Sequence, residues 1–274
     1  MQKTLVAAGA GKNIKIINRI EEDKAREIRD CCQNKNVVFL NNEDQLQEKP
    51  NWYMNKLREI TTPIMLICGL SAETNKFELQ IKIRKELVNR GYLVSQIGSK
   101  NGSELFGMHS FPQFMYKAGI SEMEKIFMFN GFIWNIEETE KPDVIIVGVP
   151  GGIMPYDNEH HNEFGIFNYL VSCAVTPDEV VLSIPYNDYE TEFWEYIVEY
   201  SKYKYSYNIK GINYSNIYHD IYADERQAKE RLVYIRNRQV DEMMSLHCNP
   251  LLFNIRNDNS FIRKVDELIN YLSE

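Results

Sequence analysis

The sequence predicts an α/β protein built on a mainly parallel, doubly wound sheet. Three observations lead there. The runs Ile64–Cys68 and Val144–Val149 are continuously apolar and Val180–Ile184 is apolar but for Ser183, the pattern of strands buried on both faces rather than one. Stretches of helical periodicity separate them, the alternation expected of helices covering both sides of a parallel sheet. At 274 residues and 44% hydrophobic content the chain can bury such a core,.

Taken in order, Ile14–Ile17 and Val37–Leu40 are short β-rich runs flanking a charged helix, Glu21–Gln33. The polar stretch Asn41–Asn51 then marks a boundary. It divides a partial, half Rossmann-like segment, residues 1–50, from a main α/β domain, residues 51–274. In the main domain Ile64–Cys68 reads as a strand, Gly69–Lys76 as a loop and Phe77–Asn89 as a helix with a broad apolar surface,. Gly91 falls where a left-handed helix cap is expected. Tyr92–Gly98 returns as a strand. Ser121-Glu122-Met123-Glu124 has capping-box spacing and opens a helix carrying Met123, Ile126, Phe127, Phe132, Ile133 and Ile136,. A helix near Glu163–Ala174 and a short strand near Ile212–Tyr214 follow. Ser260 is read as the cap of a last amphipathic helix with Phe261, Val265, Leu268, Ile269 and Leu272 inside.

A formal charge of −8 argues against a nucleic-acid partner, because a phosphate footprint needs clustered Lys and Arg,. No apolar run approaches the roughly 20 residues that span a bilayer, and no export signal opens the chain, so a cytoplasmic protein without a membrane partner is expected. The five cysteines lack metal-type spacing,. Cys68 and Cys173 read as small core residues, and adjacent Cys31 and Cys32 point apart on a helix. No resident metal is assigned.

A strand, a loop and a helix in succession bring helix N–H groups and partial positive charge to the strand's carboxyl end, which suits a phosphate. The loop reads Gly69-Leu70-Ser71-Ala72-Glu73-Thr74-Asn75-Lys76-Phe77. Against the ordinary G-x-x-x-x-G-K-[ST] pattern, Asn75 stands at the second Gly and Phe77 replaces the hydroxyl that would hold Mg²⁺. Lys76 is either a phosphate partner or a solvated lysine at a helix start. Gly9-Ala10-Gly11-Lys12 also looks P-loop-like, but no strand precedes it, and a glycine-capped helix end is the better reading. The loop Gln96–Pro112 follows the second strand at the same sheet edge. Lys100 there can oppose Lys76. Glu104 and His109 can form an acid/base pair or ligate a metal, or His109 can simply bond the backbone. His160 and His161, with Asp157, Glu159 and Glu163, are either a transition-metal set or a solvated acidic loop. His219 and His247 lack company. The aromatic-rich stretch Tyr186–Tyr218 offers either a partner surface or ordinary core and helix packing.

Four segments in order resemble the dethiobiotin synthetase family of P-loop proteins. The loop matches its longer P-loop at Gly69, Glu73 and Lys76. Asp143-Val-Ile-Ile-Val-Gly-Val-Pro-Gly151-Gly152-Ile-Met-Pro155 resembles its second motif, Gly211-Ile-Asn-Tyr-Ser-Asn216 its strand ending in a base-reading Asn, and Pro250-Leu251-Leu252 its C-terminal Pro-Leu-Leu. The resemblance implies a nucleotide site lined by Gly69, Glu73, Asn75, Lys76, Gly151, Gly152 and Asn216, with ATP or another nucleotide as ligand. It also implies that Mg²⁺ is doubtful, because Phe77 and Gly148 stand where that family places two metal contacts.

A narrower resemblance covers Thr62–Asp220. Asn75-Lys76-Phe77, Ser95-Gln96-Ile97-Gly98-Ser99, Glu104–Pro112 and Pro150-Gly151-Gly152-Ile153-Met154-Pro155 are similar to the clostridial-type peptide maturation system proteins found with radical-SAM enzymes and ribosomally made precursor peptides. This implies an accessory role in natural-product maturation, with the precursor peptide or a radical-SAM maturase as partner, and is compatible with a homodimer. Members are expected to carry more of the α/β region upstream, with residues 1–50 as its latter part. A carboxylate-activating, ATP-dependent enzyme using Lys76, Lys100 and His109, or a non-catalytic scaffold, are the alternatives.

Overall fold

A computed structural model describes residues 2–16, 20–33, 39–41, 53–155, 161–220 and 231–272. The elements in chain order are α1 (Gln2–Gly9), β1 (Ile14–Ile16), α2 (Glu22–Gln33), β2 (Phe39–Asn41), β3 (Ile64–Gly69), α3 (Lys76–Asn89), β4 (Val94–Gly98) and β5 (His109–Ser110). Then come α4 (Glu122–Glu140), β6 (Val144–Gly148), α5 (Ile166–Ala174), β7 (Glu179–Ile184), α6 (Thr191–Tyr205) and β8 (Ile209–Tyr214). The chain closes with β9 (Ile217–Asp220), β10 (Arg231–Tyr234), α7 (Asn237–His247), β11 (Leu252–Phe253) and α8 (Asp258–Leu272).

The main sheet has seven strands in the order β11-β8-β7-β3-β6-β4-β5. All its pairings are parallel. Because side chains alternate along a strand, the continuous apolar runs divide between two cores. Ile64, Leu66 and Cys68 of β3 join Phe129 and Ile133 of α4, Leu170 and Val171 of α5 and Ile197 of α6. Met65 and Ile67 face the other way, onto Leu79, Ile83 and Leu87 of α3 and Phe261, Val265 and Leu268 of α8. The fold is therefore the doubly wound α/β class, with β3 at its centre.

Local signals act as their chemistry requires. The Ser121 side chain accepts the Glu124 N–H and the Glu124 carboxylate reaches back to the Ser121 N–H, a complete capping box,. The Gly9–Lys12 turn ends α1, with Gly11 at φ +70° and the Lys12 N–H on Ala7 O at 3.0 Å, so it is a helix cap and no phosphate loop,. The last helix begins earlier than its sequence suggests. Asn257 Oδ1, not the Ser260 hydroxyl, caps it by accepting the Ser260 N–H at 3.1 Å. Met123 is exposed, and the inner row of α4 runs through Phe129, Ile133 and Ile136. The N-terminal elements have their own small cluster of Ala8, Ile28 and Cys32 beside a parallel β1–β2 pair. Most of the polar boundary stretch lies outside the described residues. None of the described helices is long and apolar enough to cross a membrane.

Candidate functional site

Between β3 and α3 the backbone is sorted by polarity. Every carbonyl of the loop is engaged. Gly69 O accepts from Ile153 N at 2.9 Å and Leu70 O from Asn162 Nδ2 at 3.5 Å. Ser71 O and Ala72 O accept from Lys76 Nζ at 3.1 and 2.6 Å, and Glu73 O receives His219 Nε2 at 2.7 Å. The Ser183 hydroxyl donates to Thr74 O, and Leu79 N to Asn75 O at 3.0 Å. The amides behave oppositely. Leu70 N donates to Ser183 O at 2.8 Å, but from Ser71 through Glu78 no backbone N–H finds an acceptor among the described residues. Two side chains within the loop match them, since Ser71 Oγ and Thr74 Oγ1 are buried and without a partner. A loop with its carbonyls engaged and its amides without acceptors among the described residues, at a helix N-terminus, has the geometry of an anion cradle,.

The residue types follow from this geometry. A Cβ on Gly69 would lie 2.6 Å from Ser71 O and 2.7 Å from Thr74 Oγ1, so the loop folds back over a position that only glycine fills. Asn75 sits at φ 58°, ψ 13°. Asparagine tolerates this left-handed conformation, so it can replace glycine there.

Lys76 is 4% exposed. Burial pushes its ammonium down to about 8, against the pull of Glu73 and Cys68,. Lys100 Nζ stands 3.9 Å from Glu73 Oε2 with both groups half-exposed, a weak pair that keeps the second lysine beside the loop,.

One turn into α3 the character changes. The Gln80 carboxamide is fully buried; its Nε2 donates to Ser99 Oγ at 3.0 Å and its Oε1 accepts Ser99 N at 3.2 Å. It fills the space beside Gly148, where a Cβ would overlap the amide. The Phe77 ring turns toward Phe106, 5.6 Å away edge to face. Mg²⁺ requires oxygen ligands in near-octahedral geometry. The residues here do not fit it, because a phenyl ring and a committed amide occupy the two positions.

Gly151 and Gly152 lie against this cradle. Gly151 has φ +71°, and a Cβ on it would lie 3.2 Å from Glu163 Oε2. Asn162 Nδ2 also holds Met154 O at 3.1 Å. Asn162, Glu163, Phe164 and Gly165 are all left-handed, so the segment expected to start a helix is instead a left-handed turn. Three non-glycine residues in that region cost about 1 kcal/mol each, and α5 begins only at Ile166.

Other expected site residues lie elsewhere. His109 Nε2 pairs with Glu140 Oε1 at 2.6 Å and its ring meets Phe132 of α4, while the Ser110 hydroxyl donates to Glu104. Glu104 and His109 thus turn to separate partners and form no acid/base or metal pair. Asn216 is buried and committed. Its Nδ2 donates to Ile235 O and Asn237 Oδ1 at 2.9 and 3.0 Å, and its Oδ1 accepts Asn254 Nδ2 at 2.9 Å. Both of its amide hydrogens are taken by these contacts, which leaves none to read a base. Asp157, Glu159 and His160 lie outside the described residues, and His161 stacks on Phe164. Among the described residues no cluster of His, Cys, Asp and Glu is placed to hold a metal. Sequence reading missed His219, Ser183 and Asn162. Only Ser183, a polar end to an apolar strand, carried a local signal.

No family model matches the chain, and no curated protein matches it. Among solved structures it is similar to a DUF1611 family protein from Anabaena variabilis, at 11% identity and TM-score 0.58, over 97% of this chain and 74% of that one. At that identity the likeness concerns the fold. A GTPase in apo form from Pyrococcus abyssi aligns at 12% identity and TM-score 0.31, over 57% of this chain and 68% of that one. A likeness that slight carries no argument.

Proposed function

We propose that this protein is a cytoplasmic accessory factor in the maturation of a ribosomally made peptide, and that its Gly69–Lys76 loop binds a nucleotide or other phosphorylated ligand. One observation carries the binding site: the loop's carbonyls are all engaged while its amides from Ser71 to Glu78 have no acceptor among the described residues. Gly69, Glu73, Asn75, Lys76, Gly151 and Gly152 shape it, with Lys100 as a second cation. The maturation role rests on the long strings shared with peptide maturation system proteins. An ATP-dependent carboxylate-activating enzyme is the less supported alternative, because phosphoryl chemistry leans on metal and charge stabilisation at positions held here by Phe77 and Gln80.

A scaffold role, alone or alongside ligand binding, draws on a different feature. Phe164, Ile166 and Tyr169 near and on α5, and Tyr196 and Tyr203 on α6, are about half-exposed or more. Exposed aromatics of this kind suit a precursor peptide or a maturase. Calorimetric titration with ATP, GTP and CTP tests the binding site. Saturable heat that Lys76→Ala abolishes is expected, and none with any ligand would overturn it. Co-purification with the precursor peptide or the radical-SAM maturase from the native host tests the role, and recovery of neither would count against it.

A further inference from the structure

Resting on the phosphate-loop reading, we infer that the cradle takes the phosphoryl group of a phosphate monoester without a divalent cation, rather than a metal-bound nucleoside triphosphate. Two independent sets of contacts point there.

The first is the filled space. A metal bridging two phosphates needs a site beside the loop lined by oxygen donors. At the start of α3, Phe77 presents a ring packed on Phe106. One turn on, both polar atoms of the Gln80 amide are held by Ser99, and the amide fills the volume next to Gly148. A neutral, buried carboxamide whose nitrogen and oxygen are both held by Ser99 occupies the space that a cation and its water shell would need.

The second is the charge around the loop. The charged groups that act on the cradle are Lys76, Lys100, Glu73 and Glu163. Two lysines against two glutamates leave no net formal charge, so the four negative charges of a free triphosphate would outnumber the two cations and still meet the two carboxylates. A monoester dianion suits the same set. Lys76 swings from Ser71 O and Ala72 O to a phosphoryl oxygen, Lys100 leaves its weak pair with Glu73, and the free N–H groups and two buried hydroxyls complete the shell. The ester's remaining group can be a phosphorylated side chain, a nucleoside or a small metabolite. The recognition chemistry is common to all three.

The test is calorimetric titration of the full chain with inorganic phosphate, phosphoserine, AMP and ATP, each in excess Mg²⁺ and in EDTA. At least one of the first three should bind, with a Kd equal within about twofold in Mg²⁺ and EDTA, and weaken at least about tenfold in Lys76→Ala. Should Lys76→Ala fail to fold, Thr74→Val removes one unpartnered hydroxyl with little change in shape and should weaken the same ligand several-fold. The strongest of the three identifies the ester's source. ATP binding that depends on Lys76 and that Mg²⁺ strengthens about tenfold or more overturns the inference but leaves the phosphate loop standing. Monoester binding unaffected by both variants also overturns it, since the ligand then sits elsewhere. Absence of binding by any of the four overturns both.

Discussion

The first and second turns of α3 differ sharply, although a few residues separate them. At the first turn the backbone is left open. Among the described residues, amides from Ser71 to Glu78 lack acceptors and two buried hydroxyls lack partners, and a lysine is folded back onto its own loop. At the second turn everything is closed, because Gln80 is bonded through both polar atoms and fitted against a glycine. Unpaired polar groups in a folded protein cost free energy. Amides without acceptors among the described residues at one turn, and an amide side chain held at both polar atoms at the next, are the contrast on which the proposed anion site rests.

The largest expected effect on binding breaks the open side. Lys76→Ala should weaken phosphate-ester binding by at least about tenfold, roughly 1.4 kcal/mol, read by calorimetry. The binding should also depend on pH. Because burial lowers the Lys76 ammonium to about 8, affinity should hold from about pH 7, where the ligand is a dianion, up to that pH and fall as pH rises through it,. A profile flat from pH 7 to about 10 would remove Lys76 from the site.

Gly148→Glu breaks the closed side. The new side chain must displace the buried Gln80 amide, which should cost about 3 kcal/mol in denaturant unfolding. Gly148→Ala should cost about 1–2 kcal/mol, and much of that should vanish in a Gln80→Ala background. Strict additivity would mean that the two positions do not contend for one space.

A third contrast lies at the start of β7. Glu179 is 1% exposed, and neither carboxylate oxygen has a partner. Burial pushes its carboxyl up to about 8, despite Lys210 and Lys264 nearby. With the folded pKa raised above the ordinary 4.5, the native state holds a proton that the unfolded chain releases, so stability falls as pH rises between about 4.5 and about 8,. Glu179→Gln should raise stability at pH 7 by on the order of 2 kcal/mol and change little at pH 4. The smallest effect is Asn75→Gly. It relieves a left-handed residue but loosens the unfolded chain, for a net change of about 0.5 kcal/mol or less and no loss of binding.

The framework was legible where the signal is local. Ile64–Cys68, Val144–Val149 and Val180–Ile184 announce strands because both faces are buried. Ser121 with Glu124, and the Gly9–Lys12 turn, declare helix ends through chemistry within a few residues. The Gly69–Lys76 loop was legible as a loop, but the contacts that shape it come from far along the chain. His219 is 146 residues from Glu73, and Ser183 is 109 from Thr74. Spacing cannot report such contacts, so His219 looked solitary. His109 and Asn216 misled for the converse reason. Each has side-chain chemistry suited to a site, and each is held instead by a neighbour brought in by the fold, Glu140 and Asn254 respectively. The β9–β10 pair went unread because each strand has four residues, too short for a periodic signal, and α7 because it buries little. Of α7 only Val240 is buried.

The most direct measurement follows the backbone amides themselves. In a ¹⁵N-labelled sample titrated with inorganic phosphate in EDTA, the resonances of Ser71 through Glu78 should move together and saturate, with the Gln80 side-chain amide unmoved. Shifts confined to other parts of the chain, or none at saturating phosphate, would contradict a metal-free anion cradle at this loop.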